Sequence, residues 1–300
     1  LNATPSPGTP GEVPVLTLKV AVASGPAWRF VIGDPQIQLL DVLAGETVFR
    51  MAAGEKLAHP NEVLVDEATL AFLPGVQIGA GRVDSATGAR FALVEYLEAP
   101  DHLPTASPTP QLSLAYLRPW LLPIVYTVET SGRSAFLTEF RPAAALFMRF
   151  TGIDYETAPA RKQLDALVRL AQGVMTQYEG ALLQVIIGDK SSYLYASFGA
   201  PVAHQDDRQR AVRAALALRQ GVTGLDYLQP VQIGVSYGVL RAGAYGSLHR
   251  RTYGVLGDEV NLAARIASQA AAGEVLVSRP ALEAATINAH ELEWRELALK

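Results

Sequence analysis

The segment Tyr253–Ala267, YGVLGDEVNLAARIA, holds the residues of this chain whose types and spacing could do chemistry. Gly257 and Asp258 open a helix, and Asn261 and Arg265 follow four residues apart, so they share one helical face one turn apart. An amide and a guanidinium set side by side opposite a partner domain suit a ribose and a phosphate, because the planar arginine fork matches phosphoryl oxygens in pairs. Taken alone, the N-x-x-x-R spacing far more often describes a solvated surface helix. Its meaning depends on the elements around it.

Those elements occur twice. One copy runs from Leu18 (LKVAVASGPAWRFVIGDP) to Leu70 (EVLVDEATL), the other from Val231 (VQIGVSYGVLRAGAYGSL) to Leu282 (EVLVSRPAL). Gly25 and Gly33 recur 213 positions later as Gly238 and Gly246; Gly45, Glu46 and Glu62 recur 212 positions later as Gly257, Asp258 and Glu274. Such spacing points to two homologous domains forming a pseudo-symmetric pair. The copies differ where chemistry would be done: Phe49 stands in the place of Asn261, and Ala53 in the place of Arg265. About 90 patterned residues, Arg141 to Pro230, lead into the second copy, but only 17 lead into the first. The first domain is therefore expected as a rear half only, in a fragment of a longer protein.

Three hundred residues with 49% hydrophobic content suit about two domains with real cores. A net charge of −4, with no Lys/Arg stripe, argues against nucleic acid. The absence of cysteine excludes disulfides and thiolate metal sites and fits a cytoplasmic protein. Leu112–Val128, the most apolar stretch, contains Arg118, Pro119 and Pro123, and is read as a connector rather than a membrane span. His59, His204 and His249 stand singly in loops without ligand spacing.

Residues 1–13 read as a flexible leader, 14–97 as a partial first domain, 98–140 as a Pro-rich linker and connecting helix, and 141–300 as the second domain. The second opens on a buried strand, Ala144–Phe150, followed by a helix stopped at Gly180 and a hairpin turning at GDKSS. A second helix follows, capped by Asp206 or Asp207, and then strands, a third helix and a closing strand. Helices and strands alternating around one antiparallel sheet predict an α+β, ferredoxin-like domain.

The Tyr253–Ala267 segment resembles the class III nucleotide cyclase signature G-[DN]-x-V-N-x-A-[AS]-R, and Ala144–Ser278 as a whole resembles a cyclase homology domain. GDKSSYLYASFG (Gly188–Gly199) matches the D-K turn and x-F-G strand of the second domain of soluble, bicarbonate-responsive adenylyl cyclases, whose two unlike domains share one working site. The resemblance implies conversion of ATP to 3′,5′-cyclic AMP and pyrophosphate. Asn261 would orient the ribose, Arg265 would stabilise charge on the α-phosphate, and Lys190 would bond the adenine edge. Gly254 replaces the usual Asp or Thr base contact, leaving only backbone contacts from Gly254 or Val255. The family uses Mg²⁺ or Mn²⁺ held by two aspartates. Here Arg149 occupies the first position, and Asp189 alone occupies the second. No metal ligand is therefore assigned, and the ligands are expected outside this chain, in the missing half of the first domain. Arg50 matches an arginine of the regulatory pocket, with a plain salt bridge as the alternative. Tandem domains of this type are often followed by an ATPase and helical repeats. The other reading is a catalytically inactive nucleotide-binding regulatory module of a larger signalling protein.

Overall fold

The computed structural model describes residues 17–98, 111–131, 138–188, 191–247, 251–283 and 293–297. The chain divides into two compact units, Leu1–Trp28 with Ala44–Pro108, and Arg29–Leu43 with Thr109–Lys300. In chain order residues 17–98 contain β1 (Val20–Val22), β2 (Trp28–Ile32), β3 (Leu40–Ala44), α1 (Glu46–Leu57), β4 (Val63–Asp66), the single turn α2 (Glu67–Leu70), β5 (Gln77–Val83) and β6 (Arg90–Tyr96).

The first unit is a four-stranded sheet in the order β1-β4-β6-β5, with α1 on one face. Glu46 in the first turn of α1 and Lys56 in the last both oppose the helix dipole. Its core joins Ala53 and Ala58 to Leu64 and Phe91. The opposite face presents Val20, Val22, Val63, Val65, Ala92 and Val94, by the period-two alternation of paired strands. Val22 and Val63 on that face are exposed.

The connector consists of α3 (Leu114–Leu117), a 3-10 turn at Arg118–Trp120 and α4 (Pro123–Thr130). Pro119 and Pro123, which lack the N–H that a continuous helix needs, explain the break. The second unit continues with β7 (Glu139–Phe150), α5 (Ala160–Gln177), β8 (Ala181–Ile186), β9 (Ser192–Phe198), α6 (Asp207–Gly221), β10 (Gln232–Gly246), β11 (Arg251–Leu256), α7 (Asp258–Gln269), β12 (Val275–Val277) and the single turn α8 (Arg279–Leu282). Its sheet runs β11-β10-β7-β9-β8, antiparallel throughout, and β12 joins β10 in parallel. This is the expected α+β architecture.

β7 sends Ala143, Ala145 and Phe147 to the face carrying α7, where Tyr195, Leu240, Ala242, Val255, Ala263 and Ala267 complete a buried cluster. The alternate residues Leu146, Met148 and Phe150 face the other way, and α5 and α6 cover that side with fully buried Leu164, Leu167 and Leu218.

Three local expectations need correction. β7 begins at Glu139, not Ala144, because Glu139–Ala143 pair with Ala242–Gly238 at the far end of β10. The left-handed residue ending α5 is Glu179 (φ 56), not Gly180. Gly180 is required for a different reason, since a Cβ there would lie 2.5 Å from the Phe198 ring. Asp206 occupies the N-cap of α6 but makes no capping bond; its carboxylate is held by Arg210 Nε at 2.7 Å. Asp207 instead accepts from the His204 backbone N–H at 2.8 Å.

The duplication is visible in strand register. Val20, Ala21 and Val22 pair in parallel with Val63, Leu64 and Val65. Ile233, Gly234 and Val235 pair in parallel with Val275, Leu276 and Val277. The partners are the same residues displaced by the offsets read from the glycines. In both copies the intervening helix starts after a glycine in the left-handed region, Gly45 (φ 107) and Gly257 (φ 147).

The β2–β3 hairpin of the first copy clusters with the second unit. Asp165 of α5 accepts from Gly33 N–H at 2.8 Å. Gln172 accepts from Asp34 N–H at 2.8 Å and donates to the Gln38 carbonyl at 2.6 Å. The hairpin tip is thus held on α5 by side chain to backbone bonds.

Candidate functional site

α7 is the element that positions the proposed phosphate and ribose contacts. Its buried face is Ala263, Ile266 and Ala267, which fixes Asn261 and Arg265 on the outward face, both exposed. Among the described residues neither side chain has a hydrogen-bond or ion-pair partner. The helix sits close on β10 because two positions there have no side chain. A Cβ on Gly234 would lie 2.3 Å from the Ala263 carbonyl and 2.4 Å from the Ala267 nitrogen, and one on Gly238 would lie 2.7 Å from Glu259 Cγ. Ser236, between the two glycines, donates its hydroxyl to the Glu259 carbonyl. Burial raises the Glu259 carboxyl above its usual range, and its Oε2 is buried without a partner among the described residues.

At the expected base contacts, Gly254 and Val255 are both buried. A Cβ on Gly254 would lie 2.4 Å from the Tyr245 ring, so that ring fills the space an Asp or Thr side chain would need. The Val255 carbonyl already accepts the Tyr195 hydroxyl at 3.0 Å. Tyr195 stacks on Phe147 with ring centroids 4.6 Å apart. Burial pushes the Tyr195 hydroxyl pKa up, and pushes that of Tyr253 up to about 12. Both phenols are therefore neutral at physiological pH, and that of Tyr195 donates to Val255. The sequence did not single out Tyr195 or Tyr245; the bare Gly254 was the available signal that an aromatic ring lay over it. Lys190 and Asp189 lie outside the described residues.

Arg149 stands on β7 between Gln232 of β10 and Tyr193 of β9. Its Nη1 donates to Gln232 Oε1 at 3.0 Å, while its Nε is buried without a partner among the described residues. A guanidinium repels a divalent cation, so Arg149 does not fit the place expected for the first metal carboxylate. Among the described residues no group of three or more His, Asp or Glu side chains is placed to hold a metal ion.

Arg50 in the first unit is committed to an ion pair. Its Nε donates to Asp66 Oδ2 at 3.0 Å and its Nη2 to the Ser24 carbonyl at 2.9 Å, with Asp66 only 3% exposed. Burial alone would raise the Asp66 carboxyl, but bonds from Thr69, Arg50 and Ser24 outweigh it and lower its pKa. A depressed carboxylate stabilises the fold above its unfolded pKa of about 3.9, and that contribution is lost as pH falls through the lower folded value. The first unit should therefore show an acid limb in its melting temperature that Asp66→Asn flattens; the same limb in the variant would contradict this. Phe49 and Ala53, half-buried and buried on the same helix, offer neither an amide nor a guanidinium.

Residues 149–297 match the family model described as the adenylate and guanylate cyclase catalytic domain. This region of the chain belongs to that family. The cyclase domain accounts for α7 and its signature, and the similar curated proteins are adenylate cyclases. Adenylate cyclase type 10 of Homo sapiens is 27% identical over 167 residues, covering 54% of this chain and 10% of the relative. The Rattus norvegicus protein of that name is 21% identical over 278 residues, covering 84% and 17%. The chain thus spans under a fifth of the length of these relatives. Among solved structures, the adenylyl cyclase CyaB from P. aeruginosa gives a TM-score of 0.44 at 23% identity, covering 49% of this chain and 81% of that chain. A bacterial light-regulated adenylyl cyclase gives 0.48 at 18%, covering 58% and 54%. No helix of the described residues is long and apolar enough to cross a membrane.

Proposed function

We propose that the protein containing this chain converts ATP to 3′,5′-cyclic AMP and pyrophosphate at a site between two cyclase domains, and that the cyclase domain here supplies the ribose and phosphate half. The observation that carries this reading is α7, which presents Asn261 and Arg265 side by side, exposed and unpartnered among the described residues. In the reaction the ribose 3′-oxygen forms a bond to the α-phosphorus, the bond from that phosphorus to the bridging oxygen of the β-phosphate breaks, and the hydroxyl proton is lost. Arg265 places two N–H donors on the α-phosphate oxygens, where negative charge concentrates as the ring closes. Asn261, one turn earlier, bonds the ribose and holds the 3′-oxygen in line. Lys190, with backbone groups of Gly254, would read the base, and Tyr245 leaves the base no side-chain contact at position 254.

The Mg²⁺ or Mn²⁺ that cyclases generally use would be held by carboxylates in the front half of the first domain, since Arg149 makes this half unfit for them. The first unit supports that division. Its Val20, Val22, Val63 and Val65 face corresponds to Ile233, Val235, Val275 and Val277 in the cyclase domain, which lie on the side covered by α5 and α6. Among its own described residues the first unit has two helices, α1 and the single turn α2. A front half supplying two helices would complete it.

The alternative, a nucleotide-binding regulatory module without turnover, is favoured by Arg149 and by the covered Gly254. ATP binding by the complete protein without cyclic AMP formation would establish it. On the enzymatic reading the complete protein forms cyclic AMP, whereas the 300-residue chain binds ATP and forms little or none.

A further inference from the structure

The end of α5 and the start of β8 border a cavity of about 280 Å³ within the second unit. Gly180 and Ala181, which join the two elements, line it and add almost no side-chain volume. Its apolar walls are Leu122 and Ile124 of the connector, Met175 of α5, Leu182 of β8 and Val202 in the loop after β9. Met175 and Leu182 are 3% and 4% exposed, whereas Val202 is 44% exposed and marks the open side. A dry cavity of about 150 Å³ takes benzene, so this one has room for roughly ten non-hydrogen atoms.

Most polar groups in the wall are already committed. Gln172 uses its carboxamide on Asp34 N–H and the Gln38 carbonyl, and Thr176 donates its hydroxyl to the Gln172 carbonyl at 2.9 Å. The Gln38 carboxamide has no partner among the described residues, but it is uncharged and selects neither sign. Glu179 decides the sign. It lines the cavity, and its Oε2 meets both His204 Nε2, at 3.3 Å, and Arg210 Nη1. Its Oε1 has no partner among the described residues. The surrounding charges do not neutralise it. Arg210 Nε is also engaged by Asp206 at 2.7 Å, and the Asp207 carboxylate lies 3.3 Å from His204 Nδ1. Three carboxylates therefore share one guanidinium. Near the open side, Arg141 donates to the Pro201 carbonyl at 3.3 Å and is paired with Glu139 at 2.9 Å. A cation is attracted to the open oxygen of Glu179, and an anion is repelled.

We infer that this cavity binds a small organic amine, with its aryl or alkyl body against Leu122, Ile124, Met175 and Leu182 and its ammonium group on Glu179 Oε1. Such a ligand touches the connector, α5 and β8 at once, and so fastens the connector to the sheet. The inference uses neither nucleotide nor α7, so it stands or falls apart from the proposed reaction.

The test adds 3-phenylpropylamine to the 300-residue chain at up to about 10 mM, where a ligand of this size with ordinary efficiency fills its site. Binding is followed by calorimetry and by the methyl NMR signal of Met175. The chain has three methionines, so Met51 and Met148 serve as internal references. The expected result is a saturable shift of the Met175 signal alone, with the uncharged 3-phenylpropanol binding about tenfold more weakly and 3-phenylpropionate not at all. Glu179→Gln should weaken the amine about tenfold and leave the alcohol within about twofold. Val202→Trp, at an exposed position, should fill the open side and abolish binding of both. An unmoved Met175 signal, equal affinity for amine and alcohol, or full amine binding by either variant would overturn the assignment.

Discussion

Arg265→Ala in the complete protein lowers kcat for cyclic AMP formation by about 10²–10³-fold, with a much smaller change in KM for ATP. The split follows from geometry. The guanidinium is exposed on α7 and has no partner among the described residues, so its removal exposes no buried charge and leaves the helix seated through Ala263, Ile266 and Ala267. The melting temperature should stay within about 1 °C, as expected for a surface change. What is lost is the pair of donors on the α-phosphate, whose bonds are strongest when the ring closes. Arg265→Lys restores charge but not the planar fork and should recover only part of the rate. A kcat within a few-fold of the parent's for Arg265→Ala would remove this residue from the reaction.

Gly234→Val should unseat the same helix from below. Its Cβ would come within 2.4 Å of two backbone atoms of α7, the Ala263 carbonyl and the Ala267 nitrogen, and backbone yields far less readily than a side chain. The sheet and helix must separate, at a cost of about 1–3 kcal/mol or more. The second unit should melt several degrees lower, and activity in the complete protein should fall because Asn261 and Arg265 move with the helix. The first copy makes the same approach with the glycine on the other element. Ala21 stands at the position equivalent to Gly234, and Gly54 on α1 makes room for it, with the Ala21 Cβ 3.1 Å from where a Gly54 Cβ would be. Thermal unfolding of Gly234→Val that matches the parent's would show that the contact tolerates a side chain.

The same glycines explain how much was legible in the sequence. A position that must lack a Cβ is marked by its residue type, so the spacing of Gly25, Gly45, Gly238 and Gly257 revealed the duplication and placed α7. The alternation of β-branched and aromatic residues gave the strands on either side of it. Interactions between distant segments left no such mark. The β2–β3 hairpin is tied to α5 by Asp165 and Gln172 across separations of 132 and 138 residues, through backbone groups that any sequence possesses. Of the two readings open for Arg50, a pocket residue or a plain salt bridge, the second had no visible partner in the sequence, because Asp66 is 16 residues away on another element. Gly254 is visibly bare in the sequence, but the Tyr245 ring that covers it belongs to the opposing strand, where hairpin register decides which residue reaches it.

On the proposed reading, catalysis needs two halves and this chain carries one. The most direct measurement compares cyclic AMP formation from ATP and Mn²⁺ by the 300-residue chain and by the complete protein, with ATP binding to both measured by calorimetry. The expected result is binding in both, cyclic AMP from the complete protein, and little or none from the 300 residues alone. Robust cyclic AMP formation by the 300-residue chain would contradict it, because Arg149 stands where the first metal carboxylate is expected and, among the described residues, no group of three or more His, Asp or Glu side chains is placed to hold a metal ion.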